Sequence, residues 1–304
     1  QPGNVFTPVE IPAEAEAEGN GGIAVKYGDW IYYVNGYQSS ATANNAYTSD
    51  VRTGAIVRIK VSDLDDVIAI NDQDLTSSEK TENIAKAVAE KAQMVVPNFY
   101  YTGNTSSTAL NGIYVFNNRI YITTPNNELD INGNVLSSQL VLASYNMGGG
   151  DMQRHYVFQS NAPQLKLSQV GEDVYATFVL DGNLSVLKVG ESEADVIAEE
   201  ITTPVFSGDY VYYLDSDGSI CRYKTGDAEA KTVVENPSVE DEKSSESYTI
   251  RSANGDYVYY TVEDDTQTSG KKLYYANDTK SGEIVLDTVP SGNYYGWRDK
   301  VVYT

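Results

Sequence analysis

The stretch GDYVYYLDSDGSICRYKTGD, residues 208–227, predicts a β-hairpin. Tyr210 to Leu214 is a run of aromatic and β-branched residues, which is typical of a strand. Asp215 to Ser219 has the composition of a turn, because glycine adopts positive φ and Asp or Ser side chains bond to the nearby backbone. Ile220 to Lys224 is then the returning strand of the hairpin.

Related phrases recur along the whole chain. They are GDWIYY at 28–33, NRIYIT at 118–123, EDVYAT at 172–177, GDYVYY at 208–213 and 255–260, and RDKVVY at 298–303. Their equivalent apolar positions, from Ile31 to Val301, are 89, 54, 37, 47 and 43 residues apart. Most of these intervals lie near the ~40–50 residues of a four-stranded propeller blade. We therefore predict an all-β fold in which residues 21–304 form a single six-bladed β-propeller domain, with seven blades as the alternative.

The strand pattern also predicts how the repeats pack. Most repeats contain four predicted strands, and the last contains two, Tyr294 to Trp297 and Lys300 to Tyr303. In the first repeat, Val67 to Ile70 is predicted as the fourth strand. Because inner strands such as Tyr210 to Leu214 do not alternate between apolar and polar residues, we expect both of their faces to be buried between sheets. The excess of 25 Tyr over 6 Phe agrees with this, since a buried Tyr ring still carries a hydroxyl for a polar partner.

One segment breaks the β pattern and predicts a helix over residues 77–93. Thr76 and Glu79 have the spacing of a capping box, in which each satisfies a free backbone donor of the other. Apolar residues then recur at helical intervals, and Glu82 and Lys86 form a supporting pair. This predicted insert explains part of the long interval between the first two repeats, and its apolar stripe should rest on a sheet.

Residues 1–20 have the composition of a tail or linker, with three prolines and an alternating Ala/Glu run. Such a tail suits attachment to an N-terminal lipid anchor, or it is a frayed terminus. Within it, residues 4–11 are β-prone. Because Lys300 to Tyr303 would otherwise be an unpaired edge, we expect 4–11 to pair beside it as a closing strand.

Composition excludes several classes of partner. The net charge of −22 and the pI of about 4.3 would repel nucleic-acid phosphates and anionic lipid surfaces. No apolar run approaches the ~20 residues of a membrane-spanning helix. Phosphate-binding loops for nucleotide cofactors are absent from the sequence, so no cofactor is predicted. Cys221 is the single cysteine, which makes an intrachain disulfide impossible and a buried thiol the expectation.

The residues at 211–227, VYYLDSDGSICRYKTGD, resemble a blade of the YWTD propellers found in relatives of the low-density-lipoprotein receptor. Tyr212 to Asp215 stand where that family has Tyr-Trp-Thr-Asp, and Ile220 to Arg222 stand where it has Ile-x-Arg. The chain also resembles a bacterial family of receptor-like propellers of unknown function that occurs in exported lipoproteins. The resemblance implies six blades, an extracellular or cell-surface location and a binding role, with no catalytic residue to transfer.

Several possible catalytic or metal sites have simpler explanations. The segments that begin at Asp215 and Asp130 resemble calcium loops, but the twelfth positions are Gly226 and Val141, where an EF-type loop needs Glu. We interpret both as turns and predict no metal. His155 could pair with a serine, but no nucleophile motif accompanies it, so it is interpreted as a strand residue. With 43 acidic residues, a pair of carboxylates at hydrolase spacing is expected by chance.

The candidate binding residues are aromatic side chains in two polar loops. Tyr37 and Tyr47 lie in the loop 36–53, and Phe99, Tyr100 and Tyr101 follow the predicted helix. If these rings cluster on one face, they form a recognition patch, whereas burial would make them ordinary core residues.

These features predict a non-enzymatic, monomeric β-propeller that binds a protein or glycan ligand at the cell surface or outside the cell. Membrane contact is expected only through an N-terminal lipid anchor. A carbohydrate-active enzyme with an acid pair in the central cleft is the first alternative. A structural or sensory domain of a cell-envelope assembly is the second. Binding of glycans without turnover would separate the first alternative from the prediction.

Overall fold

The computed structural model describes residues 16–34, 47–48, 51–52, 55–96, 112–126, 128, 131–133, 139–160, 163–237, 247–264, 269–286, 288–289 and 294–303. Regular structure in these residues is predominantly antiparallel sheet with few helices, which confirms the all-β class. They divide into two compact units, one within 1–174 and 189–192 and the other within 175–188 and 193–304.

The first unit contains two large antiparallel sheets. Its strands are β1 (Ala17–Glu18), β2 (Ala24–Tyr27), β3 (Trp30–Val34), β4 (Tyr47–Thr48), β5 (Val51–Arg52), β6 (Ile56–Lys60), β7 (Gln93–Val96), β8 (Tyr114–Phe116), β9 (Arg119–Pro125), β10 (Leu140–Asn146), β11 (Gln153–Phe158) and β12 (Gln164–Val170). The sheet orders are β1-β2-β3-β6-β7 and β11-β10-β9-β8, and β4 pairs with β5. Val25 and Ile56 of the first sheet share a buried apolar cluster with Ile120 and Val141 of the second, so these two sheets pack together.

The second unit is a succession of meanders. Its strands are β13 (Asp173–Leu180), β14 (Asn183–Lys188), β15 (Asp195–Ala198), β16 (Thr202–Ser207), β17 (Tyr210–Leu214), β18 (Ile220–Lys224), β19 (Lys231–Val234), β20 (Tyr248–Asn254), β21 (Tyr257–Glu263), β22 (Lys271–Ala276), β23 (Ser281–Ile284), β24 (Tyr294–Trp297) and β25 (Lys300–Tyr303). The boundary between the units falls within β13. Each strand pairs with its neighbour in sequence within β13–β15, β16–β19, β20–β23 and β24–β25. The predicted two-strand repeat at the end is confirmed among the described residues.

The insert in the first sheet contains more helix than the sequence predicts. Helix α2 (Ser77–Lys91) has the expected capping box at Thr76 and Glu79, and its C-terminal Ala92 packs against the cluster of Ala55 and Val57. The predicted strand Val67 to Ile70 is wrong, because α1 (Val61–Ile68) and a 3-10 helix (Ala69–Asp72) occupy it. The fourth strand of the first repeat is instead β7, which follows the helices and pairs with β6.

The recurring phrases share a backbone conformation at the turn before their second strand. The first residue of each two-residue turn has a left-handed φ between 50° and 64°, at Gly28, Asn117, Gly171, Gly208, Gly255 and Arg298. Glycine adopts this conformation without a steric penalty, which explains why four of the six turns begin with it. Asn117 and Arg298 are the two departures.

The inner strands are buried on both faces, as predicted. In β17, Val211 and Tyr213 belong to an apolar cluster with Val179 and Leu184 of the preceding sheet. The intervening Tyr212 belongs to a different buried cluster, with Ile250 and Val258 of the following sheet. Alternate side chains of one strand therefore pack on two neighbouring sheets, so a strand of this kind needs apolar residues at successive positions.

A tyrosine at the third position of the inner strand connects successive sheets. The Tyr212 hydroxyl donates to the carbonyl of Gly255, the first turn residue of the next repeat, at 3.2 Å. The equivalent Tyr259 donates to the carbonyl of Arg298 at 3.0 Å, again the first turn residue of the next repeat. Burial raises the pKa of both hydroxyls, so they remain protonated donors. The repeated link explains why tyrosine is used here instead of phenylalanine.

Tyr212→Phe keeps the ring but removes the donor to the Gly255 carbonyl. We expect the free energy of unfolding to fall by about 1 kcal/mol, the usual net contribution of one buried neutral hydrogen bond. Tyr257→Phe is the matched control, since the Tyr257 hydroxyl has no hydrogen-bond partner among the described residues. Urea denaturation measures the free energy of unfolding of both variants and of the wild type. Equal losses in the two variants would show that the link contributes no stability.

Candidate binding surface

The predicted aromatic patch falls mostly outside the described residues. Tyr37, Phe99, Tyr100 and Tyr101 all lie there. The backbone of Tyr47 forms the short strand β4, but its side chain is likewise outside the described part. Clustering of these five rings therefore stays a prediction.

The described residues place a different pair of aromatic rings at the surface, on the terminal hairpin β24–β25. Tyr295 and Trp297 are each 65% exposed, and Val302 is 67% exposed. All other described Tyr, Trp and Phe side chains with an assigned burial are buried or half-buried. Two large exposed rings on one hairpin are therefore unusual for this chain.

The pairing of the hairpin places these side chains on one face. Tyr295 lies directly opposite Val302, and Trp297 lies opposite Lys300. Directly opposed residues, and residues two apart on a strand, point to the same side of a sheet. We call the surface formed by Tyr295, Trp297, Lys300 and Val302 the outer face of the hairpin.

The other face of the hairpin is part of the core. Tyr294 is buried in a cluster with Tyr259, Leu273 and Ile284 of the preceding sheet, and Val301 packs against that cluster. Gly296 lies under the Tyr259 ring. Packing of this inner face fixes the hairpin, and thereby holds the exposed rings of the outer face in a defined position.

Arg298 gives the outer face a second unusual feature. Its guanidinium lies over the Trp297 ring, with Cζ 5.8 Å from the ring centre. Its φ of 55° is in the left-handed region, which costs a residue other than glycine about 1–2 kcal/mol. Gly208 and Gly255 avoid this cost at the equivalent positions. Strained backbone concentrates at functional sites. Arginine, tryptophan and tyrosine are also the residues most enriched at binding hot spots, and this surface has all three.

Sequence reasoning missed the outer face. The sequence pattern predicts that the strand YYGW at 294–297 is buried on both faces, as in the other repeats. The signal that was available is the turn residue, because RDK at 298–300 departs from the Gly-Asp-aromatic pattern of the first, fourth and fifth repeats.

His155 lies in β11, as predicted, within a polar cluster of the second sheet. Arg119 Nε donates to the Ser144 hydroxyl oxygen at 2.9 Å, and that hydroxyl lies 2.8 Å from His155 Nε2. Because arginine can only donate, the serine proton is free to point toward the histidine, which is then neutral. Arg119 also pairs with Asp151 at 2.7 Å, and His155 stacks on Tyr121. Ser144 is fully buried, so this arrangement supports the strand rather than offering an accessible nucleophile.

This cluster predicts a pH dependence of stability. Burial first, and the Arg119 charge second, lower the pKa of His155 below its usual 6.5. As the pH falls, His155 therefore takes up a proton in the unfolded chain before it does so in the folded protein. The free energy of unfolding consequently decreases as the pH falls below about 6.5. In His155→Gln, a neutral amide replaces the imidazole, and we expect a smaller loss of stability between pH 7 and pH 5. Urea denaturation at both pH values tests this, and identical losses in variant and wild type would contradict it.

The Asp215 carboxylate is occupied by hydrogen bonds from the backbone of its own turn, as expected for a turn and not for a calcium loop. Asp215 Oδ1 accepts from the backbone N–H groups of Asp217 and Ser219 at 3.0 and 2.9 Å, and Gly218 has a φ of 80°. The Cys221 thiol is buried and donates toward Asp215 Oδ2 at 3.4 Å, and burial raises its pKa to about 12. The buried thiol is confirmed. The other candidate loop includes Asp130 and Asn134, which lie outside the described residues.

Two further features are absent from the described residues. No group of three or more His, Cys, Asp or Glu side chains is placed to hold a metal ion within this part of the chain. Neither of the α-helices described above is long and apolar enough to cross a membrane.

Comparison with known proteins does not assign the chain to a family. No family model and no curated protein matches the sequence. Among solved structures, the N-terminal domain of Nup159 matches with 12% identity and a TM-score of 0.43, over 84% of this chain and 57% of that one. A structure of S. cerevisiae Dbp5 bound to Nup159 and Gle1 matches with 14% identity and a TM-score of 0.42, over 84% and 58%. YCF48 from Cyanidioschyzon merolae matches with 9% identity and a TM-score of 0.41, over 88% and 73%.

The chain thus spans less than two thirds of the length of the first two of these structures. Similarity at this level of identity and TM-score carries no information about what the chain binds.

Proposed function

We propose that this protein is a non-enzymatic binding module whose outer hairpin face, formed by Tyr295, Trp297, Lys300 and Val302, contacts a protein partner. The observation that carries the proposal is the exposure of two neighbouring rings, Tyr295 and Trp297, in a chain that otherwise covers its described aromatic side chains. Trp, Tyr and Arg are the residues most often found at binding hot spots.

The composition of the outer face favours a protein over a glycan. Val302 lies beside Tyr295 and offers only aliphatic surface, which gains free energy by burial against apolar side chains. The face has donors on Lys300, Tyr295 and the Trp297 indole, and its one acceptor is the Tyr295 hydroxyl oxygen, since none of its four side chains is a carboxylate or an amide. A neutral glycan would therefore leave much of its hydrogen-bonding capacity unsatisfied here.

The proposal extends to architecture and location. It takes the succession of packed sheets as six blades of a monomeric propeller that is open at the outer face of the last hairpin, with residues 4–11 pairing at the edge of that hairpin beside Lys300 to Tyr303. It places the protein outside the cytoplasm or on the cell surface, with the part of the tail that precedes β1 as the tether to a lipid anchor. The resemblance of residues 211–227 to YWTD blades supports this extension, as does the acidic, Pro-containing composition of the tail.

Selection from a random-peptide display library tests the binding proposal without knowledge of the natural partner. Selection on the whole protein should yield peptides whose affinity falls by roughly 30-fold or more in Trp297→Ala, the loss typical of a hot-spot tryptophan. Val196→Ala is the matched control, because Val196 is also exposed but lies on β15.

Three results would contradict the proposal. They are a selection that returns no Trp297-dependent peptide, binding confined to a glycan array, and turnover of any glycan on that array.

A further inference from the structure

We infer that the partner segment seated on the outer face carries acidic side chains among its apolar ones. The inference rests on the proposed function and names the chemistry of the partner at that same face. It follows from two cations that border Trp297.

Both cations are in contact with the exposed ring or directly across from it. Lys300 is the cross-strand partner of Trp297, and the Arg298 guanidinium lies over the Trp297 ring. Within the described part of the chain, neither cation forms an ion pair, whereas Lys26, Lys91 and Arg222 all do. An unpaired cation beside an apolar ring is a site where an incoming carboxylate gains both a charge-assisted hydrogen bond and shelter from water.

The one acidic residue of the hairpin, Asp299, lies in the turn and is not one of the residues of the outer face. The outer face itself therefore carries positive charge in a protein whose net charge is −22. The rest of the molecule repels acidic chains, so attraction by Arg298 and Lys300 acts only on a segment already within a Debye length, ~8 Å, of this face.

Comparison with the other repeats shows that two cations without an ion pair, at these two positions, are specific to the exposed hairpin among the described residues. Arg298 occupies the position of Gly28, Gly208 and Gly255, and Lys300 occupies the position of Trp30, Tyr210 and Tyr257. Neither cation is needed for the turn or for the strand, since the first, fourth and fifth repeats form both without one. The second repeat has Arg119 at the Lys300 position, but there the cation pairs with Asp151. The charges therefore have no role in forming the hairpin, which supports a role in binding.

The repeats also supply a variant that removes one charge with little risk to folding. Arg298→Gly restores the residue that four other repeats use in this turn and relieves the left-handed strain of an arginine. Lys300→Gln removes the second charge from an exposed position. The double variant should fold as well as wild type while its outer face keeps Tyr295, Trp297 and Val302.

The test uses the peptides selected on the whole protein as probes. We expect the Trp297-dependent peptides to be enriched in Asp and Glu over the unselected library. Their affinity should fall about fivefold or more in the Arg298→Gly/Lys300→Gln double variant, the effect of losing two exposed charge pairs. Lys300→Glu should select peptides enriched in Lys and Arg instead.

Trp297-dependent peptides without acidic enrichment, or with affinity unchanged in the double variant, would overturn this inference and leave the proposed function standing. Absence of any Trp297-dependent peptide would overturn both.

Discussion

Gly296→Ala is expected to lower the free energy of unfolding by about 3 kcal/mol, the upper range for overpacking a well-packed core. A Cβ atom at position 296 would overlap Cε2 and Cζ of the Tyr259 ring. That ring cannot move aside easily, because its hydroxyl donates to the Arg298 carbonyl in the same hairpin. Asn254 also donates to the Gly296 carbonyl at 2.7 Å, which holds the strand close to the ring. Thermal and urea denaturation measure the loss.

A double-mutant cycle tests whether the clash is the cause. Leucine at position 259 lacks the two ring atoms that the new Cβ would meet, so Gly296→Ala should cost much less in a Tyr259→Leu background. Additive losses in the double variant would show that Gly296 is needed for backbone freedom and not for ring packing.

Arg222→Met should lower the free energy of unfolding by about 2–3 kcal/mol, less than for a fully buried pair because the acidic partners are partly exposed. Arg222 Nε donates to Asp278 Oδ1 at 2.6 Å, Nη2 donates to Asp278 Oδ2, and Nη1 donates to Asp227 Oδ2 at 2.9 Å. The guanidinium also lies over the Tyr210 ring. Methionine keeps the apolar stem but leaves both carboxylates without their cation.

The pH dependence distinguishes this ion pair from simple packing. The hydrogen bond from Arg222 lowers the pKa of Asp278 below its usual 3.8. Stability from this pair is therefore present above about pH 4 and is lost as the pH falls through the folded-state pKa. The difference between wild type and Arg222→Met should narrow below pH 4, and Arg222→Lys should be intermediate. A constant difference at all pH values would contradict the role given to the ion pair.

Much of the fold could be predicted because turns and strands are local. The turn at Gly208 and the run Tyr210 to Leu214 identify a hairpin without any knowledge of distant residues. The capping box at Thr76 identifies α2 in the same way. The prediction at Val67 to Ile70 is wrong because a short apolar run fits a strand or a buried helix equally well. Only the helical spacing of Val61, Leu64 and Ile68 distinguishes the two.

The binding surface could not be predicted, because exposure is a tertiary property. Tyr259 and Tyr295 occur in similar apolar strands, yet one is fully buried and the other is largely exposed. The difference depends on whether another sheet covers that face. Partnerships such as Arg222 with Asp278, which lie 56 residues apart, are likewise set by how two sheets pack. A sequence pattern describes one strand at a time. It shows neither which face another sheet covers nor which residues of two sheets meet.

Accessibility of Trp297 in solution tests the central claim most directly. The chain has two tryptophans, and Trp30→Phe leaves Trp297 as the single source of tryptophan fluorescence. We expect red-shifted emission and quenching by acrylamide close to that of free tryptophan, because the ring is held on an open face. Blue-shifted emission with weak quenching would show that the chain itself, or a second copy of it, covers the outer face, and would contradict its role as a binding surface.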